Sequence, residues 1–276
     1  MRKIIYKIDL DLKVFYVIHE GQRLGFYLSN KLYKTFFDYL KPGVLVDFEI
    51  TDKQKKMGHL HFYQIAFFNQ IISLNPHQVH YDLFLLRDEM KRVLKGHKYF
   101  LFVDFEMTMP GYSPVNFRPE IIQVGYVLAK AKQDIIKKNG YYVLPEEMKI
   151  LSKRTKKFLN LDEEVFMKEA KPFMTFYDEL KDIMKTYKPM LVVWGKNDRS
   201  ALNDAYQIHH VKPLTKDDHF IDLLKLHKDY YNLKDDLGLF KAYKTYYEVP
   251  LDQAHDAMDD ALITKYVFDA FLDYIE

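Results

Sequence analysis

The sequence contains no cysteine. Disulfides and thiolate metal sites are therefore excluded, and a reducing, cytoplasmic compartment is the simplest expectation. Glycine and proline are scarce, ten of each in 276 residues, which points to long regular elements rather than a loop-rich scaffold. No apolar run approaches the length of a membrane span. Met1 leads into the alternating Arg2-Lys3-Ile4-Ile5-Tyr6, not into the apolar core of a signal peptide. There is no internal repeat and no low-complexity tract. A strong charge of one sign is missing too: the formal net charge is +2, which argues neither for nor against a polyanionic partner. The balance is nevertheless uneven. Residues 1–97 hold 15 Lys+Arg against 10 Asp+Glu, and the remainder 26 against 29, so the front is basic and the back acidic. Hydrophobic residues make up 48% of the chain, enough for a sizeable core.

Residues 3–9, 12–19 and 22–28 read as three strands joined by very short connections, Glu20-Gly21 among them. Residues 30–40 have helical spacing, with Asn30 as a candidate N-cap and Lys41-Pro42-Gly43 as the stop. Residues 44–51 alternate as a half-buried strand, 52–59 read as a polar loop, and 60–74 as another strand or a long bent one. Three strands, a short helix and two more strands is the order of an OB-fold barrel. Such barrels bind single-stranded nucleic acid through aromatics ringed by basic loops. Lys53, Lys55, Lys56, His61, Phe62 and Tyr63 suit that role; equally, the aromatics fill the barrel and the lysines solvate a turn, or the barrel binds a protein partner. Asn75-Pro76 interrupts the pattern, and 81–94 is expected to be a connector helix. The expected division is a barrel over 1–76, a connector over 77–97 and a second domain over 98–276.

The second domain opens on Tyr99 to Thr108. Its apolar run reads as a buried strand that delivers Asp104 and Glu106. Residues two apart share a strand face, so the two carboxylates point the same way. Side by side they repel and are costly to desolvate, and a hard divalent cation with oxygen ligands is the simplest compensation. A lone Asp-x-Glu is more often a solvated strand edge. After a loop at 109–114, a strand at 119–128 and another near 140–144 follow, then short helices and loops over 145–172. A helix at 173–187, the apolar strand 190–195, a strand-helix step at 220–223, a helix at 235–246 and a last helix at 255–275 complete the chain. A meander followed by alternating helices and strands is an α/β mixed sheet, the order found in ribonuclease-H-like folds. Trp194-Gly195-Lys196-Asn197-Asp198-Arg199 brings Asp198 to a helix start, where it also suits an N-cap. In His255-Asp256-Ala257-Met258-Asp259-Asp260-Ala261 the alanines permit close approach to a sheet, and the helix dipole favours a neutral, base-competent imidazole at His255. The acids there, Asp256 and Asp259 above all, also complement that dipole. Glu120 is placed at a surface rim rather than in a metal shell.

Together, Phe102-Val103-Asp104-Phe105-Glu106-Met107-Thr108, Glu120-Ile121-Ile122-Gln123-Val124-Gly125, Trp194-Gly195-x-x-Asp198 and His255-x-Ala257-x-x-Asp260-Ala261 resemble the DEDD superfamily of 3′–5′ exonucleases, in its DEDDh or DnaQ-like branch. The resemblance covers roughly residues 98–276 and is nearest the group of KapD-like and RNA-interference-silencing exoribonucleases. Lys156-Lys157-Phe158-Leu159 departs from the Leu-Thr-Gly-Ile usual there. What it implies is an α/β, ribonuclease-H-like exonuclease domain preceded by a small all-β OB-like barrel. It further implies two Mg²⁺ or Mn²⁺ ions on Asp104, Glu106, Asp198 and Asp260, with His255 taking a proton from the attacking water. Phe105, Met107 and Thr108 match positions that hold the terminal nucleoside. The implied activity is removal of 5′-mononucleotides from the 3′ end of single-stranded RNA. The rivals are the same enzyme acting on single-stranded DNA, and a non-catalytic nucleic-acid-binding protein.

Overall fold

The structure is a computed structural model that describes residues 1–111, 117–147, 150–231, 233, 235–248 and 255–275. The chain forms two compact units, Met1–Arg92 and Val93–Glu276. No helix among the described residues is long and apolar enough to cross a membrane.

The first unit contains β1 (Arg2–Asp9), β2 (Val14–His19), β3 (Gln22–Tyr27), α1 (Asn30–Phe36), β4 (Leu45–Met57), β5 (Leu60–Leu74), β6 (His77–Asp82) and the start of α2 (Leu83–Lys95). β1 pairs antiparallel with β2 and β4, β2 with β3, and β4 with β5; a short parallel pairing of β3 with β5, Phe26 against Tyr63, closes the ring. The small all-β barrel expected from the sequence is therefore present. Alternation fills it: Phe15 and Val17 of β2, Phe26 of β3 and Phe48 of β4 are all fully buried. Three details differ from expectation. Ser29, not Asn30, caps α1, its hydroxyl accepting from the Leu32 N–H at 3.3 Å. The polar loop expected at 52–59 is a β-ribbon, paired as far as Met57 and Leu60 and turned at Gly58, whose φ of +60° suits a two-residue hairpin. Residues 77–82, expected in the connector, form β6 against β5, and α2 starts only where Asp82 accepts the Phe84 and Leu85 N–H groups.

The second unit contains β7 (Phe100–Met107), β8 (Ile121–Ala129), β9 (Ile135–Tyr142), α3 (Lys153–Phe158), α4 (Glu163–Glu169), α5 (Phe173–Tyr187), β10 (Met190–Val193), α6 (Asn197–Ile208), β11 (Phe220–Asp222), α7 (Leu223–Tyr231), α8 (Leu239–Tyr247) and α9 (Ala257–Ile275). Its sheet runs β11-β10-β7-β8-β9. β7, β8 and β9 form an antiparallel meander, and β10 and β11 run parallel to β7. This is the mixed sheet of the ribonuclease-H-like class. Every residue of β8 is buried, as a strand covered on both faces requires. On one face Leu101, Val103 and Phe105 of β7 join α5 and α6 in the main core. On the other, Phe268 of α9 packs on Phe100 and Phe102, with ring centroids 4.8 and 5.3 Å apart. Asp104 and Glu106 continue that second face, and so they run out beneath the start of α9. That helix begins at Ala257 rather than His255, and α8 at Leu239 rather than Asp235. The loop expected at 109–114 lies partly outside the described residues.

Candidate active site

Three elements meet at the end of β7. Asp198 is the second residue of α6, 5% exposed, and its Oδ1 accepts the backbone N–H of Phe105 at 3.0 Å. That bond ties the first turn of α6 to the strand between Asp104 and Glu106. On the other side α9 reaches the sheet because Gly125, paired with Asp104, has no side chain. A Cβ there would lie 2.0 Å from the Ala257 carbonyl oxygen. Gln123 locks the contact. Its amide nitrogen donates to Asp256 Oδ2 at 2.7 Å, and its oxygen accepts from the Ala257 N–H at 3.4 Å. Asp256 in turn caps α9, accepting the Met258 and Asp259 N–H groups at 3.0 and 3.1 Å. Asp260, one turn into α9, is thereby carried over β7.

The result brings ligand atoms of Glu106, His255 and Asp260 within 4.8 Å of one another. Asp104 sits deeper, and its carboxyl is held well above the ordinary value, first by burial and then by repulsion from Asp198, Asp260, Glu106 and Asp256. Burial, reinforced by Asp260 and Asp198, pushes Glu106 up to about 8. Burial raises Asp198 to about 7 against the opposing help of the Phe105 N–H, with Asp260 adding repulsion. Asp260 rises to about 6 through burial and then Asp256 and Asp259. The charged neighbours that raise these four are all acids. Asp260 Oδ1 is buried and makes no hydrogen bond among the described residues. A buried carboxylate oxygen without a donor, inside a cluster of mutually repelling acids, is the donor set a hard divalent cation takes. The residues present fit such a metal.

Beside the acids opens a cleft of about 430 Å³. Met107, Thr108, Phe158 and Asn197 are among its walls. Met107 and Thr108, which the resemblance implies hold the terminal nucleoside, line this cleft. Phe105 does not: its ring is 3% exposed and meets Phe176 edge-on in the core. What Phe105 gives the site is its N–H, since the strand alternation that aims Asp104 and Glu106 outward turns Phe105 inward. Glu120 also differs from expectation. It is 4% exposed, not at a rim, and accepts the Glu146 and Glu147 N–H groups at 2.6 and 3.0 Å. Sequence reasoning passed over Gln123 and Gly125, which seat α9 on the sheet. Gln123 carried a signal, being a polar residue inside the apolar Ile121–Val127 run. Phe158 carried one only as a departure from a pattern.

Residues 101–268 match the Exonuclease family. The probable 3′-5′ exonuclease KapD of Bacillus subtilis (strain 168) is 30% identical over 170 residues, 61% of this chain and 82% of that protein. Among solved structures, the nuclease domain of 3′hExo, a DEDDh family member bound to rAMP, aligns with a TM-score of 0.57 at 23% identity, covering 64% of this chain and 93% of that one. Cell-death related nuclease 4 aligns at 0.53 and 19%, over 64% of each chain. With the acids, the histidine and the fold already in place, the match over most of the second unit identifies the chain as a member of the Exonuclease family.

Proposed function

We propose that the chain is a metal-dependent 3′–5′ exonuclease that hydrolyses single-stranded RNA to 5′-mononucleotides. The observation that carries this reading is the convergence of Glu106, His255 and Asp260, whose ligand atoms lie within 4.8 Å of one another beside a cleft that Glu106 lines. Asp104, Glu106, Asp198 and Asp260 would hold two divalent cations, Mg²⁺ or Mn²⁺. When bound, such a pair supplies activation of the attacking water and stabilisation of the leaving 3′-oxygen. His255 accepts the proton that water gives up on attacking phosphorus. The P–O3′ bond breaks, and the released nucleotide keeps its phosphate on O5′. Met107 and Thr108 bound the cleft that holds its nucleoside. The preference for RNA rests on the Asp104-Phe105-Glu106-Met107-Thr108 resemblance and on the likeness to a nuclease domain bound to rAMP.

The barrel over residues 1–76 binds the single strand upstream of its end. Its outer face carries Tyr16 and Tyr27, with the Arg23 guanidinium 5.6 Å from the first ring and the Lys55 ammonium 5.7 Å from the second. Aromatic faces stack on bases of any sequence, and adjacent cations meet the phosphates. Matched RNA and DNA oligomers, labelled at the 5′ end and incubated with Mn²⁺, test the proposal. Stepwise shortening of RNA, lost in Asp104→Ala, is the expected result. Shortening of DNA alone would move the substrate to DNA. Degradation that survives Asp104→Ala would defeat the reading.

A further inference from the structure

The imidazole of His255 has to be held in one orientation, and its own backbone does not do it. His255 precedes α9, in the left-handed region at φ +50°. Gln123 and Asp256 fix the residues that follow it. The χ2 torsion of histidine is broad and roughly two-fold, so the ring's orientation depends on what packs against it. One such group is Phe158, whose ring centroid lies 4.3 Å from that of the imidazole with the planes inclined at 36°.

Phe158 is itself held from a distance. At the start of α3, Ser152 accepts the Thr155 N–H at 3.1 Å and donates its hydroxyl to the Met109 carbonyl at 3.0 Å. The Met109 N–H donates back to Thr155 Oγ1 at 2.9 Å, and Thr155 is fully buried. The helix is thus bolted to the chain just beyond β7, on the rim of the cleft. Lys156, one turn on, is tied to Glu163 of α4 at 2.7 Å. Phe158 closes the helix and leans across to His255. Its ring remains 43% exposed, so core burial does not account for its place. What it covers is the imidazole.

We propose that Phe158 is a positioning residue: its ring fixes the His255 imidazole over the acid cluster, and α3 links that orientation to the cleft rim at Met109. The inference rests on His255 being the base of the reaction proposed above. It is tested by steady-state kinetics and by NMR of the imidazole protons in the full chain. The His255 signals, identified among the 11 histidines by their loss in His255→Gln, should show an upfield ring-current shift. That shift should vanish in Phe158→Ala and persist in Phe158→Tyr. With Phe158→Ala we expect kcat to fall about 10- to 100-fold with KM nearly unchanged, the pattern of a misplaced catalytic group. Phe158→Tyr should restore kcat. An unchanged kcat, a rise in KM alone, or a Tyr variant as slow as the Ala variant would overturn the proposal, as would the absence of the upfield signal. A His255→Gln variant as fast as wild type would remove the base itself, and that failure is read without any Phe158 variant.

Discussion

Metal-free protein should lose stability as pH rises through neutrality, and Glu106 sets the size of the effect. Its carboxyl is pushed from 4.5 to about 8 by burial and by Asp260 and Asp198. Below that value the folded chain keeps a proton that the unfolded chain has already released. Folding therefore binds protons, and stability falls as pH rises from the ordinary carboxyl range toward the raised value. Each tenfold difference in proton affinity between the folded and unfolded chain is worth about 1.4 kcal/mol. Between about pH 6 and pH 8, Glu106 alone therefore loses about 2 kcal/mol by this linkage. For a folded unit of this size that corresponds to a fall of about 4–8 °C in the melting temperature. Asp198, raised to about 7, acts in the same direction and window. The assay is thermal denaturation in EDTA across that range, comparing wild type with Glu106→Gln. The wild type should melt lower at the alkaline end, and the variant should show a flatter dependence. Adding Mn²⁺ should restore the wild type more at pH 8 than at pH 6, because deprotonated carboxylates bind it. A wild-type melting temperature that is level or rising from pH 6 to pH 8 in EDTA would refute the reasoning.

The same cluster makes function and stability oppose each other. Asp104→Asn removes an ionisable group that repels Asp198, Asp260 and Glu106 and keeps the shape, so it should melt higher than wild type in EDTA at pH 8 while nuclease activity is lost. Gly125→Ala should harm both. The Ala257 carbonyl must retreat from a Cβ otherwise 2.0 Å away, which costs about 1–3 kcal/mol or more by overpacking and draws Asp260 off the sheet; melting and activity should both fall, and an Ala variant equal to wild type would contradict the close approach. Gln123→Leu leaves the half-buried Asp256 without its 2.7 Å donor; a loss of about 0.5–1.5 kcal/mol is expected for the missing hydrogen bond, measured by denaturant unfolding.

The candidate acids were readable where their geometry is local. Period-two alternation alone puts Asp104 and Glu106 on one face, and alanines at 257 and 261 announce a helix that comes close to a sheet. What escaped depends on partners distant in sequence. Residues 52–57 read as a loop because lysines dominate them, yet pairing with β5 carries the strand to Met57. His77–Asp82 alternates weakly, and only a preformed β5 edge makes it a strand. Glu120 looked like a surface charge until the 146–147 turn supplied two N–H donors to bury it. The alternation that aims Asp104 and Glu106 at the site also sends the Phe105 ring into the core. The meeting of Phe158 with His255, nearly a hundred positions apart, has no trace in either local pattern.

Acids from β7, α6 and α9 are held to form one metal-binding centre, and counting bound Mn²⁺ tests that most directly. Titration of the metal-free chain near pH 7.5, followed by the electron paramagnetic resonance of the free ion, should give two ions per chain for the wild type, with binding much reduced in both Asp104→Asn and Asp260→Asn. No binding by the wild type, or binding that ignores the loss of either acid, would contradict it.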